Sequence, residues 1–306
     1  MNSNEIKIIG VGGGAHNVLI SISLNAIENV DYIDCNTDNN SLKNSQLENK
    51  LQIGVAMTKG IGANGNVELG RLSAIESKDQ IEQLFDKNSK TAIFIAALGG
   101  GTGTGATPVM VEIAKERGLF TIVITLIPFE FEGETRYKTA QKAVAALQKK
   151  ADFILVIDNN KIRQAFGNFG LKSGFGKADR AIGQFIKMLI PTYSSQIGSI
   201  GIKNILGKIQ QGSSVFFGFG EAEGKFRDRK AIEDVLKNAL SDREDIDGVQ
   251  HVFLHISFGD TLISNDEIAQ INNSVLQNAG SNATIIISSD YNSSLGDSLS
   301  VVLIAY

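Results

Sequence analysis

The stretch Thr91–Gly105 reads TAIFIAALGGGTGTG. Its first half, Thr91 to Leu98, is a continuous apolar run of the length a buried parallel strand takes. Its second half contains only glycine and threonine: Gly99, Gly100, Gly101, Thr102, Gly103, Thr104 and Gly105. A helix is expected to follow, from Pro108 to Arg117. Strand, glycine turn and helix in that order put free N–H groups and the positive end of the helix dipole at the turn, which favours an anion there. Glycines let successive N–H groups reach phosphate oxygens, and the hydroxyls of Thr102 and Thr104 can add hydrogen bonds or hold a magnesium-bound water. A flexible glycine turn without a ligand is the plain alternative.

Upstream, the same pattern occurs once more. Ile6 to Val11 is rich in β-branched residues and ends in Gly12, Gly13 and Gly14; Ala15, Val18, Leu19, Ile22 and Ala26 then recur at helical spacing. Gly10 to Ala15 loosely satisfies the dinucleotide fingerprint, with Asp38 near the distance of a ribose-binding acid, so this turn alone also fits a nicotinamide (NAD)-dependent dehydrogenase. Further strands are expected at Val30–Cys35, Lys50–Ile53, Leu119–Ile127 and Phe153–Ile157. Gly60–Gly70 reads as a loop, Ile81–Phe85 lies in a helical stretch, and a helix is expected at Thr139–Lys150. This alternation predicts an α/β fold, a doubly wound parallel sheet.

Between Phe175 and Tyr193 the residues Ala178, Ala181, Ile182, Phe185, Ile186 and Leu189 predict a long connecting helix. Beyond it, helices at Arg229–Leu240 and Asp266–Asn278 and strands at His251–Phe258, Thr284–Ser288 and Leu299–Tyr306 have the order of a smaller α+β unit. The expected division is 1–172 for the first domain, 173–200 for the central helix and its loop, and 201–306 for the last domain.

The 306 residues carry a formal net charge of −4 with no basic stripe, which argues against nucleic acid as a partner. The single cysteine, Cys35, cannot form an internal disulfide, and Met1 to Glu5 lacks the pattern of a secretory signal. No apolar run approaches the roughly 20 residues of a spanning helix. A cytoplasmic protein without direct membrane insertion is expected. Nothing matches the Gly-x-x-x-x-Gly-Lys-Ser/Thr loop of ordinary P-loop enzymes.

Gly99–Gly105 resembles the GGGTGTG signature of the tubulin/FtsZ family, and the resemblance continues through Gly10–Asn17, Asn36–Asp38, Lys59–Gly70, Pro128–Arg136 and Asp297–Val301. It implies a GTP-binding domain joined by a long helix to a smaller domain, with GTP or GDP as ligand, Mg2+ accompanying GTP, and filaments formed head to tail, usually in cell division. Carried over by residue, it implies a first phosphate loop at Gly12, Gly13, Gly14 and Asn17 and a second at Gly99–Gly105. Ala63 and Asn64 fall in the loop near the terminal phosphate; Glu132, Arg136 and Asn159 match ribose and guanine-side contacts. Phe175 and Asp179 match the pair that stacks on guanine and hydrogen-bonds it, a carboxylate being able to accept from both the ring N–H and the exocyclic amine. A plain pairing of Asp179 with Arg180 or another neighbour on the helix surface is the other reading.

One departure concerns hydrolysis. In the family, a loop after the central helix enters the neighbouring subunit's pocket and brings acids that position the attacking water. The matching stretch here is Ser199–Ile205, which puts Gly201 and Asn204 where two aspartates would stand. Ile200, Ile202, Ile205 and Ile209 keep the apolar spacing, and no Asp or Glu occurs between Asp179 and Glu221. Slow or absent hydrolysis is therefore expected, in a protein that forms its own stable filaments or joins those of an active relative. A nucleotide-free structural relative is a further alternative. The last strand closes at Tyr306 without the family's linker and partner-binding tail; a shortened chain and a member without direct tethering to adaptors both fit.

Four other features carry weaker expectations. His251 and His255 alternate with Val252, Leu254 and Ile256 as in a strand, which argues against a metal pair. His16 is placed either to meet phosphate or to face solvent at a helix start. Cys35 is expected in the core, and Phe216, Phe217 and Phe219 in a strand packed on the central helix.

Overall fold

The computed structural model describes residues 4–24, 27–167, 171–190, 206–207, 209 and 213–306. The chain divides into two compact units, Met1–Asn160 and Lys161–Tyr306.

In the first unit, β1 (Ile6–Val11), β2 (Val30–Asn36), β3 (Asn49–Gln52), β4 (Thr91–Ala97), β5 (Phe120–Ile127) and β6 (Phe153–Asp158) form one sheet in the order β3-β2-β1-β4-β5-β6. Every neighbouring pair is parallel. Helices cover the sheet, so central strands are mainly apolar on both faces rather than alternating, and β1 and β5 are buried along their whole length, with the ammonium of Lys7 in β1 paired to Asp31. Ile9, Val11, Phe94 and Val123 meet Met110, Ile113 and Leu147 in the core. Cys35 is buried there beside Met110, its Sγ 3.9 Å from the thioether, and burial pushes its thiol up, away from reactivity.

Two helices begin earlier than their glycines suggest. The helix after the second glycine run starts at Thr102, not Pro108, and runs to Glu116. Within the stretch read as a loop, Asn66 accepts from the Leu69 N–H and caps a helix at Val67–Glu76 that contains Gly70. Glycine is commonly a helix breaker, but here it is a spacer between crossing backbones. A Cβ on Gly105 would stand 2.0 Å from the Val67 carbonyl oxygen, and one on Gly70 2.3 Å from that of Gly101.

In the second unit, β7 (Phe216–Ala222), β8 (His251–Phe258), β9 (Thr284–Tyr291) and β10 (Leu299–Ala305) pair in the order β7-β10-β8-β9. β10 is antiparallel to β7 and β8, and β8 is parallel to β9. Helices Arg227–Lys237 and Asn265–Ala279 pack on one face. The 19-residue helix Leu171–Leu189 also packs on this sheet, with Ala178, Ala181, Ile182, Phe185, Ile186 and Leu189 buried as their spacing predicts. Phe185 meets Phe217 edge to face, with centroids 6.1 Å apart.

That helix also carries a polar seam. Gln184 Nε2 donates to Ser300 Oγ, and Lys187 Nζ lies 3.7 Å from Asp290, whose Oδ1 is 3.2 Å from His255 Nε2. His255 is fully buried with Nδ1 2.8 Å from Ser288 Oγ. His251 instead packs on Tyr306, ring centroids 5.2 Å apart. Among the described residues, no group of three His, Cys, Asp or Glu side chains is placed to hold a metal ion.

Candidate functional site

β1 is the switch point of the first sheet: the chain leaves it on one side for β2, while β4 lies against its other edge. Parallel sheets bind ligands outside the carboxyl ends of the strands at such a point. A cleft of about 250 Å3 opens there, between the turn after β1, the segment after β2, the loop around Ala63 and the turn after β4.

The two glycine turns pack backbone to backbone. Gly12 has a φ of +82°, donates its N–H to the Cys35 carbonyl at 2.8 Å, and would bring a Cβ to 3.0 Å from the Gly103 nitrogen. A Cβ on Gly14 would meet that of Ala97 at 2.4 Å, and one on Gly103 the Ala97 carbonyl at 2.5 Å. Gly13 and Gly100 differ from these. Both line the cleft, neither has a positive φ, and a Cβ on either would have nothing within 4 Å. Among the described residues no contact demands glycine at these two positions, whereas close approach of a ligand to the backbone would.

The second turn is part loop and part helix. The first bond of its helix runs from the Gly105 N–H to the Gly101 carbonyl at 2.9 Å, and the first turn of a helix leaves N–H groups without intrahelical partners. Thr102 remains on the cleft. Thr104 does not: its buried hydroxyl accepts from the Gly99 N–H at 2.9 Å, so it shapes the turn rather than offering a hydroxyl to a ligand. Gly99 holds a φ of +94° and Gly105 spaces the helix crossing, both outside the cleft wall.

Of the residues singled out in the sequence, Gly12, Gly13, Gly14, Ala63, Asn64, Gly100, Gly101, Thr102, Gly103 and Arg136 line the one cleft. Asn17 is exposed on the first helix, away from the cleft wall. Glu132 is bound locally: its Oε1 accepts from the Phe129 N–H at 3.0 Å and its Oε2 lies 2.9 Å from Arg136 Nη1. Asn159 follows β6, and its Oδ1 is buried without a hydrogen-bond partner. Asp179 is half-buried in the second unit, where burial pushes its carboxyl up to about 6 against the pull of Arg180. Arg180 turns its guanidinium to Glu221, Nε to Oε2 3.1 Å, so it does not form the plain ion pair with Asp179. The Phe175 side chain, Gly201 and Asn204 lie outside what is described.

Three residues have roles that the sequence did not disclose. His16 lies outside the cleft wall and is partly exposed; its Nδ1 is 2.6 Å from Oδ2 of the buried Asp34. Asp38 lines the cleft, and its Oδ1 accepts from the N–H groups of Asn40 and Ser41 and caps helix Asn39–Asn44. Thr37 joins two walls of the cleft, with its Oγ1 accepting from the Ala63 N–H at 3.0 Å and lying 2.7 Å from Thr102 Oγ1. A nicotinamide-dependent dehydrogenase needs only the first glycine turn, and this cleft is built by both.

Residues 5–167 match the model of the Tubulin/FtsZ family, GTPase domain, and residues 213–306 that of the FtsZ family, C-terminal domain. The chain is 32% identical over 305 residues to the cell division protein FtsZ of Pseudomonas aeruginosa, covering 98% of this chain and 76% of that protein. It is 33% identical over 312 residues to the cell division protein FtsZ of Buchnera aphidicola subsp. Schizaphis graminum, covering 99% and 79%. Its fold superposes on an empty FtsZ dimer structure from M. jannaschii with a TM-score of 0.85 at 28% identity, over 99% of this chain and 88% of that one. A GTPγS-bound protofilament of CetZ2 from Haloferax volcanii shares the fold at a TM-score of 0.74 and 17% identity, over 98% and 92%. With both units matched and nearly every residue covered, the chain is a member of the tubulin/FtsZ family.

Proposed function

We infer that the chain binds GTP or GDP in the cleft of its first unit, with Mg2+ accompanying GTP, and assembles head to tail with copies of itself while hydrolysing GTP slowly or not at all. The reading takes 1–172 as the nucleotide domain, 173–200 as the connector and 201–306 as the C-terminal domain. It places the protein in the cytoplasm and in cell division, alone or together with an active member of its family.

The observation that carries the binding reading is the pair Gly13 and Gly100, glycines with empty space where a side chain would be. Gly13→Ala and Gly100→Ala should each leave the urea midpoint unchanged while weakening GTP about 10- to 100-fold. That is the loss of one charge-assisted hydrogen bond, about 1.5–3 kcal/mol. Equal affinity in both variants, measured by titration with a fluorescent guanine nucleotide, would remove the argument.

Asp179 adds a pH dependence. Its carboxyl titrates at about 6 in the free protein, and a base that donates two hydrogen bonds binds only the ionised form. Affinity for GTP should therefore be full above pH 7 and about tenfold weaker at pH 5, one unit below that value. Asp179→Asn should flatten this profile as well as weaken binding; an unchanged slope would take Asp179 out of the site.

The neutral stretch around Gly201 and Asn204 supports the reading on hydrolysis. Phosphate release per subunit, followed as protein concentration is raised in samples shown to contain GTP, should stay near zero at every concentration. A rate that climbs past an assembly threshold would overturn it, because the polymer would then have a catalytic group elsewhere. A denatured sample that releases no guanine nucleotide, from protein incubated with GTP, would favour a structural relative without ligand.

A further inference from the structure

The loop Ile61–Asn66 is tied to the second glycine turn through a buried hydroxyl. Thr37 is fully buried, accepts from the Ala63 N–H at 3.0 Å, and lies 2.7 Å from Thr102 Oγ1, on the cleft wall. A hydroxyl has one proton to give and two lone pairs to accept with. With Ala63 already bound to Thr37, two arrangements remain. Thr102 can donate to Thr37, which leaves the Thr37 proton to seek another acceptor inside the protein. Thr37 can instead donate to Thr102, which frees the Thr102 proton to point into the cleft.

In the second arrangement, N–H and both O–H dipoles run in one direction, from Ala63 through Thr37 and Thr102 toward the cleft. An anion in the cleft selects it, and each bond in such a chain polarises and strengthens the next. We propose that Thr37 is a positioning residue that relays phosphate occupancy from Thr102 to the loop Ile61–Asn66, tightening the Ala63 N–H bond when the cleft is filled. This rests on the reading of the cleft as a nucleotide phosphate site. The relay does not require Thr37 to touch the ligand, and it is reciprocal: what the ligand does to the loop, the loop bond does to ligand affinity.

The test is amide hydrogen exchange at Ala63 in the full chain, with and without saturating GTP. Strengthening by about 10–30% a bond already present, whose intrinsic strength in an apolar setting is about 4–6 kcal/mol, corresponds to roughly a two- to tenfold slowing. The parent chain should show that slowing. Thr102→Val should lose it while exchanging like the parent without GTP, and Thr102→Ser should keep it. Thr37→Val, folded by its melting curve, should bind GTP weaker by the same factor, and Thr37→Ser should restore the parent affinity. A merely structural Thr37 predicts slowing that survives in a GTP-filled Thr102→Val variant, and that result overturns the relay. So does bound GTP with no slowing in the parent chain, or a Thr37→Ser variant as weak as Thr37→Val. If Thr102→Val does not fill with GTP, the Thr37 pair decides alone. A parent chain that takes up no GTP overturns the relay and the nucleotide reading together.

Discussion

The double variant Gly201→Asp, Asn204→Asp is expected to turn over GTP about 10² to 10⁴ times faster than the parent chain, the contribution of positioned acid–base groups. The sequence contains no carboxylate between Asp179 and Glu221 to orient or deprotonate a water. If this segment meets the neighbour's nucleotide, as the family resemblance implies, a restored acid acts on a site the subunit does not itself contain. The gain should therefore appear only above an assembly threshold and should scale with polymer mass, not with total protein. Each single variant should gain less than the pair. Phosphate release measured against sedimented polymer is the assay. A double variant that still forms filaments and contains GTP, yet turns over no faster than the parent, would show that the neutral segment does not limit hydrolysis.

Gly105→Ala should destabilise the chain by about 2–3 kcal/mol, although the same substitution inside an exposed helix stabilises by about 1 kcal/mol. The sign is set by the crossing of helices Val67–Glu76 and Thr102–Glu116. The added methyl would lie 2.0 Å from the Val67 oxygen and 2.6 Å from the Arg71 nitrogen. These are backbone atoms, so no rotamer change relieves the overlap and the helices must separate. The same crossing holds Gly70 against Gly101, and the disturbance therefore reaches the glycine turn and should weaken nucleotide as well. Urea unfolding reports the first effect and nucleotide titration the second. An unshifted midpoint would mean that the crossing gives way at little cost. Gly105→Ala and Gly100→Ala thus separate two uses of glycine in one motif, spacing between backbones and access for a ligand.

The strands and the two glycine turns were legible because each is a property of a single segment. The apolar run Thr91–Leu98 becomes β4 almost residue for residue, and the helical spacing from Ala178 to Leu189 becomes a buried face. What the sequence hid depends on two segments at once. Gly70 and Gly105 read as turn residues because their reason for being glycine lies on the facing helix. Thr37 meets Ala63 and Thr102, 26 and 65 residues away, and no local pattern signals such partners. His255 alternates with apolar residues as an outward-facing residue would. It is buried because the helix Leu171–Leu189 covers the face of the sheet that alternation assigns to solvent. A hydroxyl in a signature motif is equally ambiguous: Thr102 faces the cleft, while Thr104, two residues on, is turned into the protein.

The place of β1 in its sheet also governs how the chain emerges from a ribosome. Ile6 pairs with Val30 on one edge but with Thr91 on the other, so one edge of the first strand finds its partner only 85 residues later in the chain. At about 5–20 residues per second that interval is roughly 4–17 s. Throughout it a largely apolar strand, with Lys7 its single charge, presents unpaired N–H and C=O groups to its surroundings, the condition that favours pairing with another chain. Cell extracts that translate more slowly, or that lack chaperones, should yield the full-length chain in a less soluble form than those that shield the first ninety residues.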